Sequence, residues 1–334
     1  MGIRGVFLGV FLLGVPAAGR ESGPDASRLL DRTLASPSAS WTARVRVQVF
    51  GPAGAAGKAK AQTRRVCVGS PDSLRVEVAG RRSGVLSLLM VTDGRSLLTA
   101  WPTQRRGWLG PAPDVEPAQE RARLDSLYEL SVSTGGRAAK RPLWRLDLRS
   151  RADGRLRRSL WLDREDGRTL RREDYRPDGT LMRRERTTRL EGPSFSDEDF
   201  RVAAPAGVAV DASTVPFAGR ASAESAFPPR FPRWAPAGFV PLAADVSARP
   251  VSARVSYTDG LTTFDFVERP AGEGARPDRA RYAEVRLKTG VGILSFADGA
   301  TVLSWTAGGR DYTATGDVPE ADLARMADSI PDEP

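Results

Sequence analysis

The sequence predicts an α+β protein in which antiparallel β-strands predominate. Three observations predict this class. Apolar and polar residues alternate in many short segments, Asp-Gly turns separate several of those segments, and a helical period appears in only three places. The chain has 334 residues, 40% of them hydrophobic, which is enough for two separate cores. We therefore expect two domains.

The first predicted domain, residues 24–200, begins with a helix and continues as strands. An amphipathic helix follows Asp25 and ends near Pro37. From Trp41 to Val49 apolar and polar residues alternate strictly, which indicates a half-buried strand. Further strands are expected at Gln62 to Val68, Leu74 to Val78, Val85 to Val91 and Leu97 to Trp101. From about Pro117 to Val132 the period becomes helical, so a second helix should lie against the sheet.

Three Asp-Gly turns then predict a meander of four strands. The glycines are Gly154, Gly167 and Gly179, and glycine supplies the positive φ that a tight hairpin turn needs. The expected strands are Leu143 to Ser150, Arg155 to Asp163, Thr169 to Arg176 and Thr180 to Leu190. Arginine dominates their polar face.

A linker and a smaller domain should complete the chain. Residues 201–227 are rich in Ala, Ser, Pro and Gly without periodicity, which is typical of a linker. Residues 228–332 should form a small antiparallel sheet with a closing helix. Its strands are expected at Val251 to Tyr257, Leu261 to Glu268, Tyr282 to Lys288, Gly292 to Phe296, Thr301 to Thr306 and Arg310 to Thr315, and the helix carries the apolar stripe Leu323, Met326, Ala327 and Ile330.

The N-terminus has the pattern of a Sec-type signal peptide, residues 1–19. Arg4 precedes an apolar run from Val6 to Val15, and small residues follow, so cleavage is expected after Ala17 or Gly19. The run is too short to span a bilayer. A lipobox needs a cysteine at the cleavage site, but Cys67 is the sole cysteine. We expect an exported protein without a lipid anchor or a membrane span.

Composition argues against catalysis. The chain has no histidine, which excludes Ser-His-Asp triads, Cys-His pairs and histidine zinc sites. Cys67 lies between two valines in a predicted strand and is expected to be a buried apolar thiol. We predict no catalytic residues, no metal and no cofactor.

Four segments near the C-terminus carry a family resemblance. They are Arg233 to Phe239, Tyr257 to Leu261, Gly316 to Pro319 and Arg325 to Ile330. In this order they resemble the C-terminal domain of the MucB/RseB family, periplasmic regulators of the sigma-E envelope-stress pathway. The resemblance implies that the first domain is a LolA/LolB-like half-open β-barrel wrapped on its helices, with an apolar cleft, and that the protein lies in the periplasm.

The resemblance implies one function and leaves a second open. A regulator would bind the periplasmic domain of a membrane-bound anti-sigma factor and release it when a lipid-like ligand, such as lipid A or a lipoprotein acyl group, enters the cleft. The alternative is a lipid or lipoprotein carrier of the LolA type. The predicted second domain favours the regulator, because a simple carrier ends after the half-barrel.

The charge is uneven along the chain. From Arg20 to Phe200 there are 35 basic and 24 acidic residues, whereas from residue 201 onward there are 14 and 17. Nucleic acid is an implausible partner for an exported chain. The basic part therefore faces either solvent or an anionic partner such as lipid headgroups, lipopolysaccharide phosphates or an acidic protein segment.

Apolar and aromatic residues supply the candidate binding sites. The candidate cleft residues are Trp41, Val45, Val47, Leu74, Val76 and Leu86. The alternative for each is packing against the two helices. The candidate partner-binding residues are Trp234, Phe239 and Tyr257, although Trp234 could instead anchor the linker to its own domain.

Overall fold

The structure is a computed structural model of the chain. It describes residues 24–34, 40–50, 60–69, 73–80, 83–112, 117–192, 195–212, 230–248, 251–272, 282–297, 300–316 and 318–331. The predicted signal peptide and residues 213–227 of the expected linker lie outside these ranges.

The described chain contains short helices and many strands. The helices are α1 (Ala26–Leu34), α2 (Pro117–Leu127) and α3 (Glu320–Ala327). The strands before α2 are β1 (Trp41–Val49), β2 (Lys60–Val68), β3 (Leu74–Ala79), β4 (Leu86–Thr92), β5 (Ser96–Trp101) and β6 (Arg106–Pro111). After α2 follow β7 (Tyr128–Ala138), β8 (Arg141–Ser150), β9 (Leu156–Asp163), β10 (Thr169–Tyr175), β11 (Leu181–Glu191) and β12 (Ala209–Ala212). The remaining strands are β13 (Val240–Ala248), β14 (Val251–Thr258), β15 (Thr263–Pro270), β16 (Tyr282–Leu287), β17 (Gly290–Ala297), β18 (Ala300–Ala307) and β19 (Arg310–Gly316).

Strands β1 to β12 form one sheet in the order β12-β6-β5-β4-β3-β2-β1-β11-β10-β9-β8-β7. Neighbouring strands are antiparallel, except that β12 runs parallel to β6. The edge strands β12 and β7 are not paired with each other, so the sheet stays open. The predicted fold class, mostly antiparallel β in a half-open arrangement, is confirmed.

Helices α1 and α2 pack against the meander end of this sheet. Leucines from both helices and from strands β8 and β9 form one buried cluster, which excludes water because their side chains interlock. The cluster includes Leu29, Leu30, Leu124, Tyr128, Leu146, Leu148, Leu160, Leu162 and Leu261. Leu261 lies between β14 and β15, in the predicted second domain, so it completes the core of the predicted first domain from outside.

The predicted second helix is too long. It ends at Leu127, and strand β7 begins at Tyr128. Tyr128, Leu130 and Val132 alternate with polar residues, which is the period of a strand. Over a single turn this spacing can be mistaken for the apolar spacing of a helix. The meander therefore has five strands rather than four, because β7 pairs with β8.

Three further strands were not predicted. Strand β6 and strand β13 carry no clean alternation, and β13 contains Pro241, which suits an edge strand. Strand β12 falls within the expected linker. Val202, Val208 and Val210 pack against the cluster around Leu89 in the first sheet, so this part of the expected linker is held against that sheet.

Strands β13 to β19 form a second sheet in the order β13-β14-β15-β19-β18-β17-β16. Helix α3 lies against it through Leu323, Met326 and Ala327, which are all buried. Aromatic rings fill the space between helix and sheet: Phe266 lies 5.7 Å from Tyr312, and Trp305 stacks on Tyr312 at 5.3 Å, measured between ring centres. Within the described ranges, no helix has the length and apolar character that a membrane span requires.

Candidate ligand cleft and interdomain groove

A cleft of about 440 Å³ lies between the two helices and the first sheet. Leu30 and Leu34 of α1 and Leu124 of α2 form one wall, and apolar side chains of β1 to β3 form the opposite one. The strands supply this wall because every second side chain of a strand faces the same side. The cleft is thus apolar on two sides.

Four of the six candidate cleft residues line this cavity: Trp41, Val45, Leu74 and Val76. Val47 is completely buried within β1 and does not reach the cavity. Leu86 lies at the start of β4, three strands from β1, and packs against the separate cluster around Leu89. The alternation of β1 and β3 therefore brings four candidates together, whereas Leu86 is too far across the sheet.

The floor of the cleft is charged, a feature that the strand patterns did not predict. Arg64, Arg158, Arg172 and Glu185 reach the cavity from β2, β9, β10 and β11. Arg158 lies on the same face of β9 as the core residue Leu160. An arginine at a position where the alternation of the strand calls for an apolar residue is the sequence feature that could have indicated a charged cleft floor. Buried charges at such positions need partners.

A carboxylate beneath the cleft pairs with two of these arginines. Arg158 Nε donates to Asp174 Oδ1 at 2.6 Å, and Arg172 Nε donates to Asp174 Oδ2 at 2.8 Å. Burial opposes ionisation of Asp174, but the two guanidinium groups outweigh it, so the pKa of this carboxyl lies below its ordinary value. Arg64 is less well paired, since its nearest carboxylate is Glu185 at 3.8 Å.

A hairpin of the second domain closes one end of the cleft. This docking hairpin, Asp259–Thr262, joins β14 to β15, and Gly260 and Leu261 line the cavity. Asp259 Oδ1 accepts hydrogen bonds from the backbone N–H groups of Leu261 at 2.8 Å and Thr262 at 2.7 Å. The carboxylate thereby holds the turn in shape.

Two hydrogen bonds join the docking hairpin to the first domain. The Tyr128 hydroxyl donates to Asp259 Oδ2 at 2.7 Å. The buried Arg158 guanidinium donates to the backbone carbonyl oxygen of Leu261. Arg158 therefore contacts both the carboxylate beneath the cleft and the hairpin that closes it.

Gly260 fits this contact because it has no side chain. Its φ is +88°, and a Cβ atom there would lie 2.9 Å from Leu124 Cδ2. Both the backbone conformation and the close approach to α2 require glycine. The Asp-Gly-Leu sequence, which carries part of the family resemblance, is thus an interdomain contact as well as a turn.

A groove of about 690 Å³ runs between the two domains. Leu127 and Tyr128 line it from the first domain, and Trp234, Phe239 and Val318 line it from the second. The guanidinium of Arg325 lies 4.4 Å from the Trp234 ring centre, so the groove combines aromatic surface with positive charge. Leu261 lines both the groove and the cleft.

The structure separates the three candidate partner-binding residues. Trp234 and Phe239 line the groove. The backbone N–H of Trp234 also donates to Ser329 Oγ at 3.1 Å, so Trp234 anchors its segment to the domain as well. Tyr257 is only 5% exposed and its ring stacks on Phe264 at 4.8 Å, which places it in the domain core rather than on a surface.

Neither cavity holds the elements of a metal site. In the part of the chain that the structure describes, no group of three or more acidic or thiol side chains is arranged to bind a metal ion. Cys67 is buried, as expected, with its Sγ 3.7 Å from the Thr42 hydroxyl.

Comparison with known proteins relates the fold to solved structures. No family model matches the sequence, and no curated protein matches it either. The Pseudomonas aeruginosa MucA/MucB complex matches with a TM-score of 0.57 and 22% identity, over 92% of this chain and 99% of that chain. The chain has the MucB fold.

Two further MucB structures agree. MucB in complex with MucA(peri) matches at 23% identity with a TM-score of 0.57, over 92% of this chain and 98% of that chain. Another crystal structure of MucB matches at 20% identity with a TM-score of 0.58 over the same shares. The likeness to MucB includes both sheets because it covers most of this chain. At the level of the fold, it confirms the resemblance to the MucB/RseB family that the motifs predicted.

Proposed function

We propose that this protein is a periplasmic regulator of the MucB/RseB type, which binds the periplasmic part of an anti-sigma factor. The observation that carries the proposal is the likeness to MucB across both sheets, in two structures that contain MucA, one of them as MucA(peri). The motif resemblance implies that such a regulator shields the anti-sigma factor from proteolysis. The predicted signal peptide is consistent with this location.

The interdomain groove is the proposed partner site. Its wall contains the partly buried Trp234 and Phe239 beside Arg325, and aromatic and arginine side chains contribute most of the binding energy at many interfaces. An extended segment with apolar side chains and an acidic residue would match this lining.

The cleft is the proposed ligand site. Its apolar walls suit an acyl chain, and Arg64 and Arg172 on its floor suit an acidic group. A ligand releases the partner only if it binds the free protein more tightly than the complex, because equal affinity shifts no equilibrium. Lipid A and lipoprotein acyl groups are the ligands that the resemblance implies.

A carrier of lipids or lipoproteins remains the second candidate. The same cleft would serve it, but a carrier does not need a second domain whose hairpin closes one end of the cleft. The domain arrangement therefore favours a regulator. A non-catalytic role is part of the proposal, since histidine chemistry is excluded by composition.

The test is a binding measurement between the mature chain and the periplasmic domain of a MucA-like anti-sigma factor from the same cell. We expect saturable binding by calorimetry, and we expect added lipid A or a triacylated lipopeptide to weaken it. A mature chain that binds the lipopeptide but leaves the anti-sigma domain unbound at every concentration would support the carrier instead. A chain that binds neither would contradict both functions.

A further inference from the structure

One side chain lines both the ligand cleft and the interdomain groove. Leu261 forms part of the wall of the ligand cleft and part of the wall of the interdomain groove. It is 8% exposed and belongs to the same buried cluster as Leu124, Leu148 and Leu160 of the first domain. The protein's own second domain thus supplies part of the wall of the cleft.

We propose that the docking hairpin is an internal competitor for the cleft: an apolar chain that enters the cleft takes the place of Leu261 and undocks the second domain. The competition itself is independent of any partner. Its consequence for a partner in the groove rests on the proposed function.

The hairpin is suited to reversible docking because a few contacts of different kinds hold it. Leu261 supplies one buried apolar side chain, the Tyr128 hydroxyl binds Asp259, and Arg158 binds the Leu261 carbonyl. A ligand chain can replace the apolar contact with contacts of the same kind. Arg158 keeps its partner Asp174 when the hairpin leaves, so the buried Arg158 charge is not left without a partner.

Undocking also takes the groove apart. Leu127 and Tyr128 belong to the first domain, whereas Trp234 and Phe239 belong to the second. A molecule that spans the groove needs both walls in place. An apolar chain in the cleft and a partner in the groove therefore oppose each other, and by thermodynamic linkage each weakens the other by the same factor.

The experiment measures binding of the neutral fluorescent dye N-phenylnaphthylamine to the mature protein and three variants, without any partner. Leu261→Ala removes the competing side chain, and Tyr128→Phe weakens docking without changing a residue that lines the cleft. Val291→Ala is the control, since Val291 is 58% exposed on the second sheet. We expect both interface variants to bind the dye about tenfold more tightly than the wild type, because a larger fraction of the protein then has an open cleft.

The opposite sign would overturn the proposal. If Leu261 is simply a wall of the ligand site, Leu261→Ala weakens dye binding and Tyr128→Phe leaves it unchanged. Absence of dye binding in the wild type and in both variants overturns the proposal as well. None of these outcomes depends on an anti-sigma factor, so a failure here is distinct from a failure of the proposed function.

A distance measurement gives a second readout. Spin labels at Ser133→Cys and Glu284→Cys, both exposed and one in each domain, are introduced in a Cys67→Ala background. We expect one narrow distance distribution for the free protein and a broad one with saturating dye. A narrow, unchanged distribution in the presence of bound dye overturns the proposal, because the second domain then stays docked.

Discussion

The Tyr128 hydroxyl donates a hydrogen bond of 2.7 Å to the carboxylate of Asp259, across 131 positions of sequence. Tyr128 is the first residue of the meander and Asp259 shapes the docking hairpin, so this bond joins the two domains beside the interdomain groove. Burial and the Asp259 charge raise the pKa of the Tyr128 hydroxyl well above its ordinary value. The hydroxyl therefore remains a donor throughout the physiological pH range.

Removal of this hydroxyl should loosen the domain contact. We expect Tyr128→Phe to cost about 1.5–3 kcal/mol of docking free energy, since the acceptor is charged. The measurement is hydrogen exchange of the backbone amides of Leu261 and Thr262, which should accelerate. Tyr257→Phe is the control: it makes the same chemical change inside the second domain. Equal protection in both variants would show that the bond contributes nothing to docking.

Alanine substitutions at Gly260 and Gly272 should separate the cost of backbone strain from the effect of close contact with Leu124. Gly260 and Gly272 have nearly the same φ, +88° and +90°, but a Cβ at Gly272 meets open space. Gly272→Ala should cost about 1–2 kcal/mol of unfolding free energy through the left-handed backbone alone. Gly260→Ala should carry that cost and also undock the second domain, because its Cβ meets Leu124. Chemical denaturation combined with small-angle scattering distinguishes the two effects. Identical scattering profiles for the two variants would contradict this role of Gly260.

Loss of the carboxylate beneath the cleft should destabilise the first domain strongly. The Asp174 side chain is 2% exposed and holds Arg158 and Arg172. We expect Asp174→Asn to lower the free energy of unfolding by about 3–5 kcal/mol at about pH 7, because it leaves buried Arg158 without its charged partner. Urea unfolding followed by tryptophan fluorescence measures this. Asp153→Asn, a more exposed carboxylate bonded to Arg157, is the control and should cost much less.

The same pair predicts a pH dependence with a defined sign. The pKa of Asp174 is lower in the folded protein than the ordinary value of about 3.9 in an unfolded chain. Its stabilising contribution is therefore fully present above about pH 3.9 and is lost as the pH falls through the folded value. The stability difference between wild type and Asp174→Asn should shrink in strong acid. A constant difference from neutral pH to about pH 2 would contradict the assigned shift.

Truncation of Trp234 should weaken partner binding. We expect Trp234→Ala to cost at least about 2 kcal/mol of binding free energy toward the anti-sigma domain, because the ring lines the groove with Arg325 above it. Trp101→Ala is a matched control: Trp101 also lies under an arginine, Arg106 at 5.3 Å, but is in β5 and does not line the groove. Calorimetry gives both affinities, and thermal unfolding checks that each variant is folded. Equal losses would remove the groove as the partner site.

Local patterns predicted most strands correctly. The three Asp-Gly turns of the meander lie where expected, each with a glycine at positive φ, because the turn conformation depends on the residues that form it. The predicted second helix runs past its observed end at Leu127 into β7. The first apolar residues of β7 happen to continue the apolar spacing of the helix for one turn, so the local pattern does not mark the boundary. Strand β12 was missed because its pairing with β6 joins segments about a hundred residues apart, and no local pattern reports such a partner.

The candidate site was predicted less completely than the fold. Trp41, Val45, Leu74 and Val76 meet in the cleft because strand alternation sets which face they share. The floor arginines and the docking hairpin were missed. Their positions depend on the order of strands across the sheet and on how the second domain sits against the first.

The sequence by itself determined that this protein is mostly antiparallel, that it lacks histidine chemistry, and that its C-terminal motifs resemble the MucB/RseB family. These properties follow from composition, residue period and turn chemistry, which are local. Tertiary structure alone decided that Leu261 enters the core of the other domain, that Tyr128 binds Asp259 and that Tyr257 is buried. Such contacts join residues far apart in sequence, and they form because two domains together bury apolar surface that neither can cover alone.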